Sequence, residues 1–328
     1  MANLSTRFFG LELSSPVIAA SSSMTSHVEQ VVKLAEAGAG AIVLKSIFEE
    51  EIYLELQEEL SLRTEFTADP EYLDYFDYVI KEDNIKKYLK LIRESKEKTS
   101  VPIVASVNCM SSNEWILFAR KIEDAGADAL ELNMFICPSD SIKTSESNEQ
   151  FYFETVQKVL GAVHIPVSVK ISHYFSNLAG LVKKLSGTGI AGVTIFNRFY
   201  KPDIDIENQV VTVADVLSLP EDYLLPLKWT GVLSGLMECE LAATTGIHDG
   251  ETAIKFLLAG ASAVQIASVL YKKGPAEITK INHEISEWMD RKGYSSIQEY
   301  KGLLSQTQSM SAAWERTQFM KYFGEKAF

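Results

Sequence analysis

Polar residues stand where the apolar, strand-like runs of this sequence end, and their types are those that bind ligands and do chemistry. Two lysines and three asparagines are among them, which is more polarity than contact with water requires. The set is Ser21, Ser22, Lys45, Ser46, Asn108, Asn133, Lys170, Ser172, Asn197, Arg198, Thr244, Thr245, Gly246 and Ser268. A lysine that closes a buried strand is costly unless it meets an anion or a ligand. Each residue alone is equally well explained as a rim side chain facing water, but together they predict a site.

The lysines and asparagines indicate a flat, polar ligand and redox chemistry. A cation near the pyrimidine end of a flavin stabilises the anionic reduced form, and Lys45 and Lys170 suit this role. Asparagine amides supply paired donors and acceptors for an amide-rich ring. The strand ends show no Ser-His-Asp order, no H-E-x-x-H motif and no carboxylate pair. Redox chemistry on a bound flavin therefore fits best.

A cysteine beside a proline lies in the stretch LELNMFICPSD, where Cys137 follows Asn133 by four residues. Two interpretations stay open: Cys137 is the base of an enzyme, or it is a small apolar filler near a site. A thiol works well near neutral pH only when a cation or a helix end lowers its pKa. The other cysteines, Cys109 and Cys239, adjoin apolar strands and are predicted to be core fillers.

A recurring turn shows which elements position these residues. In LAEAGAGAIVLKS, IEDAGADALELN, LSGTGIAGVTIFN and LLAGASAVQIAS, a helical pattern ends at a glycine and an apolar, β-rich run follows. The glycine suits a left-handed helix cap, and the continuous apolar run suits a parallel strand that is buried on both faces. Eight such runs lie near 16–20, 40–46, 101–107, 128–133, 165–171, 190–197, 239–244 and 262–267.

Eight alternating strand–helix units in about 250 residues predict an α/β fold, a (β/α)8 barrel with its chemistry at the strand ends. An open doubly wound sheet is the alternative. We expect one domain over residues 1–328, with inserted loops after the second, fourth and sixth strands. The first of these is an acidic insert at 47–82, and a helical tail occupies 275–328.

Composition excludes several classes of protein. The 328 residues carry a net charge of -13, which argues against a nucleic-acid or anionic-membrane surface. No stretch reaches the length of about eighteen apolar residues that a membrane span needs, and the first residues lack the pattern of a secretory signal. The three cysteines are an odd number and form no C-x-x-C motif, so we expect no disulfide framework and no metal site. We therefore expect a cytoplasmic protein that acts on a small molecule.

The last two predicted units have the features of a phosphate-binding site. ATTGIHDGETA follows the seventh strand and QIASVL lies at the eighth. Small residues let backbone N–H groups approach a phosphate, and the N-terminus of the next helix adds positive potential. The alternative is a simple helix cap around Thr245 and Asp249.

Several motifs, in order, resemble those of the dihydroorotate dehydrogenases, which are FMN-containing barrels. They are SSPVIAASS, IVLKS, ELN…CP, VSVKISHYF, TIFNR, GIHDGETAIKFLLAGASAVQIASVLYKKGP and GYSSIQEYKG, and they extend over nearly the whole chain. The absence of a membrane-associating N-terminal extension resembles the soluble branch. The resemblance implies FMN as cofactor, oxidation of dihydroorotate to orotate in pyrimidine biosynthesis, and a cytosolic homodimer.

The resemblance also assigns roles to residues. Those implied to bind the cofactor are Ala20, Ser21, Lys45, Ser46, Asn108, Asn133, Lys170, Thr244, Thr245, Gly246, Ala267 and Ser268. Those implied to bind substrate are Lys45, Asn133, Asn197 and Arg198. Cys137 would be the base, and Lys170 would assist catalysis.

Three departures from the family pattern stand out, two on the substrate side and the last, in PEDYLLPLKW, on the phosphate side. Cys137 lies one residue further from Asn133 than usual, and Ser139 stands where the pattern has asparagine. The insert FEEEIYLELQEELSLRTEFTADPEYLDYFDYVI is acidic and has no asparagine or glycine, and PEDYLLPLKW lacks paired glycines. Three alternatives therefore stay open: a flavin oxidoreductase for another substrate, a non-catalytic flavin-binding subunit, and a phosphosugar-handling barrel. The electron acceptor is also open.

Overall fold

Eight parallel strands close into a barrel. The computed structural model describes residues 2–47, 70–108, 114–198, 201–308 and 314, without the side chains of 70–81 and 114–117. Numbered among all strands in chain order, the barrel strands are β3 (Val17–Ala19), β4 (Ala41–Val43), β5 (Ile103–Asn108), β6 (Ala129–Asn133), β7 (Val167–Ile171), β8 (Gly192–Ile195), β11 (Glu240–Thr244) and β12 (Ala263–Ile266). Each pairs with the next, and β12 pairs with β3 to close the ring. The predicted barrel and its eight strands are confirmed, and the open sheet is excluded.

Helices surround the barrel. They are α1 (Val28–Glu36), α2 (Pro70–Lys98), α3 (Glu114–Asp124), α4 (Ser145–Leu160), α5 (Leu178–Ser186), α6 (Leu224–Leu233), α7 (Gly250–Ala259), α8 (Ser268–Lys273) and α9 (Ala276–Lys292). Asp249 caps α7, as its carboxylate accepts a hydrogen bond from the Thr252 backbone N–H at 2.8 Å. Gly260 ends the same helix at φ +115°, as the recurring turn predicts. These local signals fix where β12 begins.

An N-terminal hairpin closes the bottom of the barrel. It consists of β1 (Thr6–Phe8) and β2 (Leu11–Leu13) and was not predicted from the sequence. Phe8 and Phe9 are fully buried and pack against inward-facing residues such as Ala129 and Ala242. A Cβ atom at position 192 would lie 2.7 Å from the Phe8 ring, so Gly192 leaves room for it. The barrel therefore has an apolar floor, and the opposite end is free to hold a site.

Three connections after barrel strands are long, as predicted. The connection after β4 contains α2, although residues 48–69 of the predicted acidic insert lie outside the described residues. The connection after β6 begins with the loop 134–144. The one after β8 contains a hairpin of β9 (Pro202–Asp205) and β10 (Val210–Val213).

The predicted C-terminal tail begins with α9, but its residues 309–313 and 315–328 lie outside the described residues. Cys109, which was predicted to be a core filler, also lies outside them. None of the helices in the described part of the chain combines the length and apolar character needed to cross a membrane. The division of the chain into one domain, an insert and a tail stays a prediction.

Candidate active site

Two adjoining cavities lie at the carboxyl ends of the barrel strands, each with a volume of about 480 Å³. The first, here called the β11–β12 cavity, has walls from the ends of those strands and from residues 216–218. The second, the β4–β6 cavity, has walls from the ends of β4, β5 and β6. Ser21, Lys170 and Arg198 line both. The two spaces therefore share a wall, and their size is that of small-molecule and cofactor sites.

All but one of the residues to which the resemblance assigns a role line these cavities, whereas Ser172, a member of the wider strand-end set, is buried and lines neither. The β11–β12 cavity contains Ala20, Ser21, Lys170, Arg198, Thr244, Thr245, Gly246, Ala267 and Ser268. The β4–β6 cavity contains Ser21, Lys45, Ser46, Asn108, Asn133, Lys170, Asn197 and Arg198. Ser46 and Asn108, which were assigned to the cofactor alone, thus lie in the β4–β6 cavity, together with Lys45 and Asn133, which were assigned to both cofactor and substrate. Cys137 is exposed and is in neither lining.

Backbone shape forms one wall of the β11–β12 cavity. Thr245 has φ +80°, an unusual value for a residue with a side chain, and Gly246 has φ +77°. A Cβ atom at position 246 would lie 2.2 Å from the backbone nitrogen of Tyr223, which leaves no space for any other residue. This tight turn brings backbone groups close to the cavity, as a phosphate site requires.

A hydrogen-bonded cluster on Ser218 supports the part of the wall next to this turn. Its backbone N–H donates to Ser268 Oγ at 2.8 Å, and Lys272 Nζ donates to its carbonyl oxygen at 2.9 Å. The hydroxyl of Ser218 lies 3.0 Å from His248 Nε2. Burial, followed by the charge of Lys272, lowers the pKa of His248 below its usual range. Nothing in the sequence signals Ser218, because the preceding hairpin brings it to the cavity.

Amides and an aromatic ring define the β4–β6 cavity. The Asn197 side-chain amide donates to Asn133 Oδ1. Within the described residues, the buried Oδ1 atoms of Asn108 and Asn197 have no hydrogen-bond partner. Phe135 also lines this cavity, and its ring makes an edge contact with Tyr174 at a centroid distance of 6.1 Å. The cavity thus offers oxygen acceptors for N–H groups beside one apolar face. Phe135 was not predicted as a site residue.

A buried polar layer lies beneath both cavities. Lys170 Nζ donates to Gln265 Oε1 at 3.1 Å, and Gln265 Nε2 donates to Glu131 Oε2 at 2.6 Å. Thr194 Oγ1 donates to the same carboxylate oxygen at 3.0 Å. Burial lowers the pKa of Lys170, whereas the charge of Glu131 opposes this shift. Glu131 precedes Asn133 by two residues, so strand alternation was a signal that both face inward.

The charged lining of the two cavities is mostly basic. Its cations are Lys45, Lys170 and Arg198, and its carboxylate is Glu131. Arg198 is anchored, because its Nη2 donates to the carbonyl oxygens of Asp215 and Leu217 at 3.1 and 3.2 Å. Arg198 Nη1 also lies 3.4 Å from Asp222 Oδ2, so the site keeps a small excess of cations over carboxylates in a chain whose net charge is -13. The field favours an anionic ligand.

The two described cysteines lie in different environments. Cys137 is exposed, and its carbonyl oxygen accepts a hydrogen bond from the Ser139 backbone N–H at 2.8 Å, which bends the loop. Cys239 is partly buried against the main core, and burial raises its pKa to about 12. Cys239 therefore has the packing predicted for a core filler, while the role of Cys137 stays a prediction.

Residues 81–289 match the family model described as Dihydroorotate dehydrogenase. The chain belongs to the dihydroorotate dehydrogenase family. The match covers barrel strands β5 to β12. It therefore includes Lys170, which lines both cavities, and the turn at Thr245 and Gly246. The family expected from the sequence motifs is thus confirmed.

Curated relatives are similar over almost their full length. The chain is 26% identical to the catalytic subunit of dihydroorotate dehydrogenase B (NAD(+)) from Thermoplasma volcanium, over 92% of this chain and 99% of the relative. It is 28% identical to dihydroorotate dehydrogenase A (fumarate) from Lactococcus lactis, with the same coverage. A dihydroorotate dehydrogenase (fumarate) from Saccharomyces cerevisiae is 27% identical over 93% of this chain and 99% of the relative. Identities of 26–28% establish the family but not the substrate, so the substrate must be inferred from the residues of the site.

Proposed function

We propose that this protein is an FMN-dependent oxidoreductase that oxidises dihydroorotate to orotate. One observation carries the proposal: two adjoining cavities meet at Lys170, and their charged lining is mostly basic. A cofactor and a substrate can then lie against each other, with a lysine at their junction. Membership of the dihydroorotate dehydrogenase family supports the same choice.

The residues of the β11–β12 cavity fit FMN. The turn at Thr245 and Gly246 leaves backbone groups accessible where a Cβ atom would collide with the chain. With Ala267 and Ser268 it forms the phosphate end, as in many barrels. Lys170 would lie beside the flavin ring and stabilise negative charge there. Bound FMN would supply the hydride acceptor.

The residues of the β4–β6 cavity would hold the substrate. Asn133 and Asn197 present amide groups that match a cyclic imide, and Lys45 would attract the substrate carboxylate. Cys137, as the thiolate, would remove a proton from one ring carbon while the neighbouring carbon loses a hydride. Because Cys137 is exposed, the loop 134–144 must close over the substrate to bring the thiolate to that carbon.

An absorbance spectrum followed by anaerobic addition of dihydroorotate tests the proposal. Yellow protein that bleaches rapidly would support both cofactor and substrate. Colourless protein that cannot be reconstituted with FMN would contradict the proposal. Reoxidation of the bleached protein with fumarate or NAD(+), the acceptors named for the relatives above, then identifies the acceptor class.

A second candidate is a flavin oxidoreductase with a different, less acidic substrate. Phe135 lines the β4–β6 cavity while Cys137 lies outside it, and this observation favours a ligand with an apolar face. Yellow protein that stays oxidised with dihydroorotate would support this candidate, or the non-catalytic flavin-binding subunit.

We also propose a homodimer, supported by an exposed apolar face on the β9–β10 hairpin. Ile204 and Val211 are opposite each other in the register, and they are 66% and 71% exposed. Val213, which is 45% exposed, lies on the same face of the hairpin, and a contiguous exposed apolar patch is typical of an interaction surface. A double I204S/V211S variant should elute as a monomer in size-exclusion chromatography. Val210→Ser, on the hairpin's other face, should not change the elution volume.

A further inference from the structure

The buried layer under the cavities contains a carboxylate that the reaction above does not use. Glu131 is 0% exposed, and one of its two oxygens, Oε1, has no hydrogen-bond partner among the described residues. Removing an ionised carboxylate from water is expensive, and an unpaired oxygen adds to the cost. Because Glu131 lowers the stability of the fold in this way, we expect it to have a role in function.

Hydrogen-bond chemistry fixes the orientation of the side chain between Glu131 and Lys170. A lysine ammonium can only donate, so Gln265 must turn its oxygen towards Lys170. The Gln265 amide nitrogen then donates to Glu131, which must accept. Thr194 donates to the same oxygen of Glu131, in agreement with an ionised carboxylate. These contacts match a Glu131 carboxylate and a Lys170 ammonium that are bridged by one amide.

We propose that Glu131 and Gln265 are positioning residues that hold the Lys170 ammonium, in its charged form, at the wall shared by the two cavities. The proposal rests on the proposed function only for what Lys170 does, which is to stabilise negative charge on the flavin. The bridge itself is a property of the protein without cofactor.

The charges around Lys170 show why a buried anion is needed. Arg198 lines both cavities and Lys45 lines the β4–β6 cavity, and a cation in the same lining disfavours another cation. Arg198 is itself paired with Asp222, whose Oδ2 lies 3.4 Å from Arg198 Nη1. Burial acts in the same direction as these cations and lowers the Lys170 pKa, and Glu131 is the named group that raises it. The remaining neighbours in the layer, Gln265 and Thr194, are neutral.

The first experiment measures the charge of Lys170 in flavin-free protein. Acetic anhydride labels only the neutral amine, and Lys170 is reachable because it lines both cavities. The labelling of its peptide is followed by mass spectrometry over a pH series. In Glu131→Gln, which keeps the shape and loses the charge, we expect the labelling midpoint to fall by about one pH unit, and labelling below the midpoint to be about tenfold faster.

Two further variants separate a charge effect from damage to the fold. Gln265→Met removes the bridge but keeps the carboxylate, and it should also lower the midpoint. Ser168→Ala is the matched control, because Ser168 pairs with Glu131 in the strand register and its buried hydroxyl has no partner in the described structure. Its midpoint should equal that of the wild type. Equal midpoints for Glu131→Gln, Gln265→Met and the wild type would overturn the proposal.

A second experiment uses the FMN-loaded protein and sulfite, an anion whose affinity for a flavin depends on a nearby cation. Sulfite affinity of Glu131→Gln should begin to fall at a pH about one unit below that of the wild type. Failure of the wild type to take up FMN, together with a shifted labelling midpoint, would reject the proposed function and leave the bridge standing. Tight FMN binding with unshifted midpoints would reject the bridge alone.

Discussion

The two cavities differ in what forms their walls, which is mainly the backbone in one and mainly side chains in the other. The β11–β12 cavity depends on backbone shape: a turn at Thr245 and Gly246 that only small residues permit, and a short helix beginning at Ser268. The β4–β6 cavity depends on side chains, among them Phe135, on elements where the chain departs from the family pattern. Backbone geometry tolerates sequence change around it, whereas each altered side chain changes what can bind. The comparison predicts a retained cofactor side and a modified substrate side.

The largest predicted effect is a loss of turnover, caused by a substitution on the substrate side. If the loop after β6 closes as proposed, Cys137→Ser should lower turnover of dihydroorotate by about 10²–10⁴-fold at neutral pH, because a hydroxyl is a far weaker base than a thiolate. FMN content should not change. Steady-state kinetics and the flavin spectrum measure the two quantities.

Cys239→Ala is the control for this substitution, since Cys239 packs against the core and lines neither cavity. It should retain turnover. Full activity in Cys137→Ser would make this cysteine a bystander and would favour the candidate with a different substrate.

The cofactor side is tested by Gly246→Ala. The new Cβ atom would meet the Tyr223 nitrogen at 2.2 Å, so the turn must move and backbone groups at the phosphate end move with it. We expect FMN affinity to fall about a hundredfold, the equivalent of about 2.7 kcal/mol. Fluorescence titration of flavin-free protein measures this.

Gly293→Ala separates a clash from a strained dihedral angle. Its φ of +79° nearly equals the +77° of Gly246, but a Cβ atom there would have no neighbour within 4 Å in the described structure. Both variants therefore bear a similar backbone cost, of about 1 kcal/mol. Equal FMN affinities in the two variants would mean that the turn is not part of the cofactor site.

Much of the architecture was predictable because its signals are local. An apolar, β-rich run is recognised within about ten residues, and four of the runs follow a glycine that ends a helical pattern. Eight such runs left few alternatives to a barrel. The polar residues at strand ends followed from that topology. Thus Lys45, Lys170 and Asn197 were assigned to the site before any geometry was known, and the structure brings them to two neighbouring cavities.

The residues that were missed reach the site through long-range packing, or lie in a loop or within a strand. Ser218 belongs to a segment after the β9–β10 hairpin, which only the folded chain brings to the cavity. Phe135 lies in the loop after β6, where strand alternation no longer predicts the direction of a side chain. Glu131 and Gln265 lie inside strands that read as apolar, and their pairing across the barrel has no local signal.

A smaller effect should follow from Phe135→Ala, which sharpens the description of the substrate side. Phe135 is 38% exposed, and a ligand in the β4–β6 cavity would cover part of its ring. Loss of that contact should raise KM about tenfold with little change in kcat, since it acts on the bound substrate and the transition state alike. Ile142→Ala, on the same loop but 89% exposed, should leave KM unchanged. A fall in kcat alone would instead place Phe135 in loop closure.

The last predicted effects concern the stability of the layer on which both cavities rest. Thr194→Val removes a donor to the Glu131 carboxylate and should lower the free energy of unfolding by about 1.5–3 kcal/mol, because hydrogen bonds to charged groups are strong. Ser168→Ala removes a buried hydroxyl without a partner in the described structure, so it should leave that free energy unchanged or raise it slightly. Urea unfolding of flavin-free protein compares the two midpoints. Equal losses in both variants would show that polarity as such, and not the hydrogen bond to Glu131, stabilises the layer. A loss confined to Thr194→Val would mean that the hydrogen bonds of Thr194 with Glu131 and Gln265 stabilise the layer on which both cavities rest.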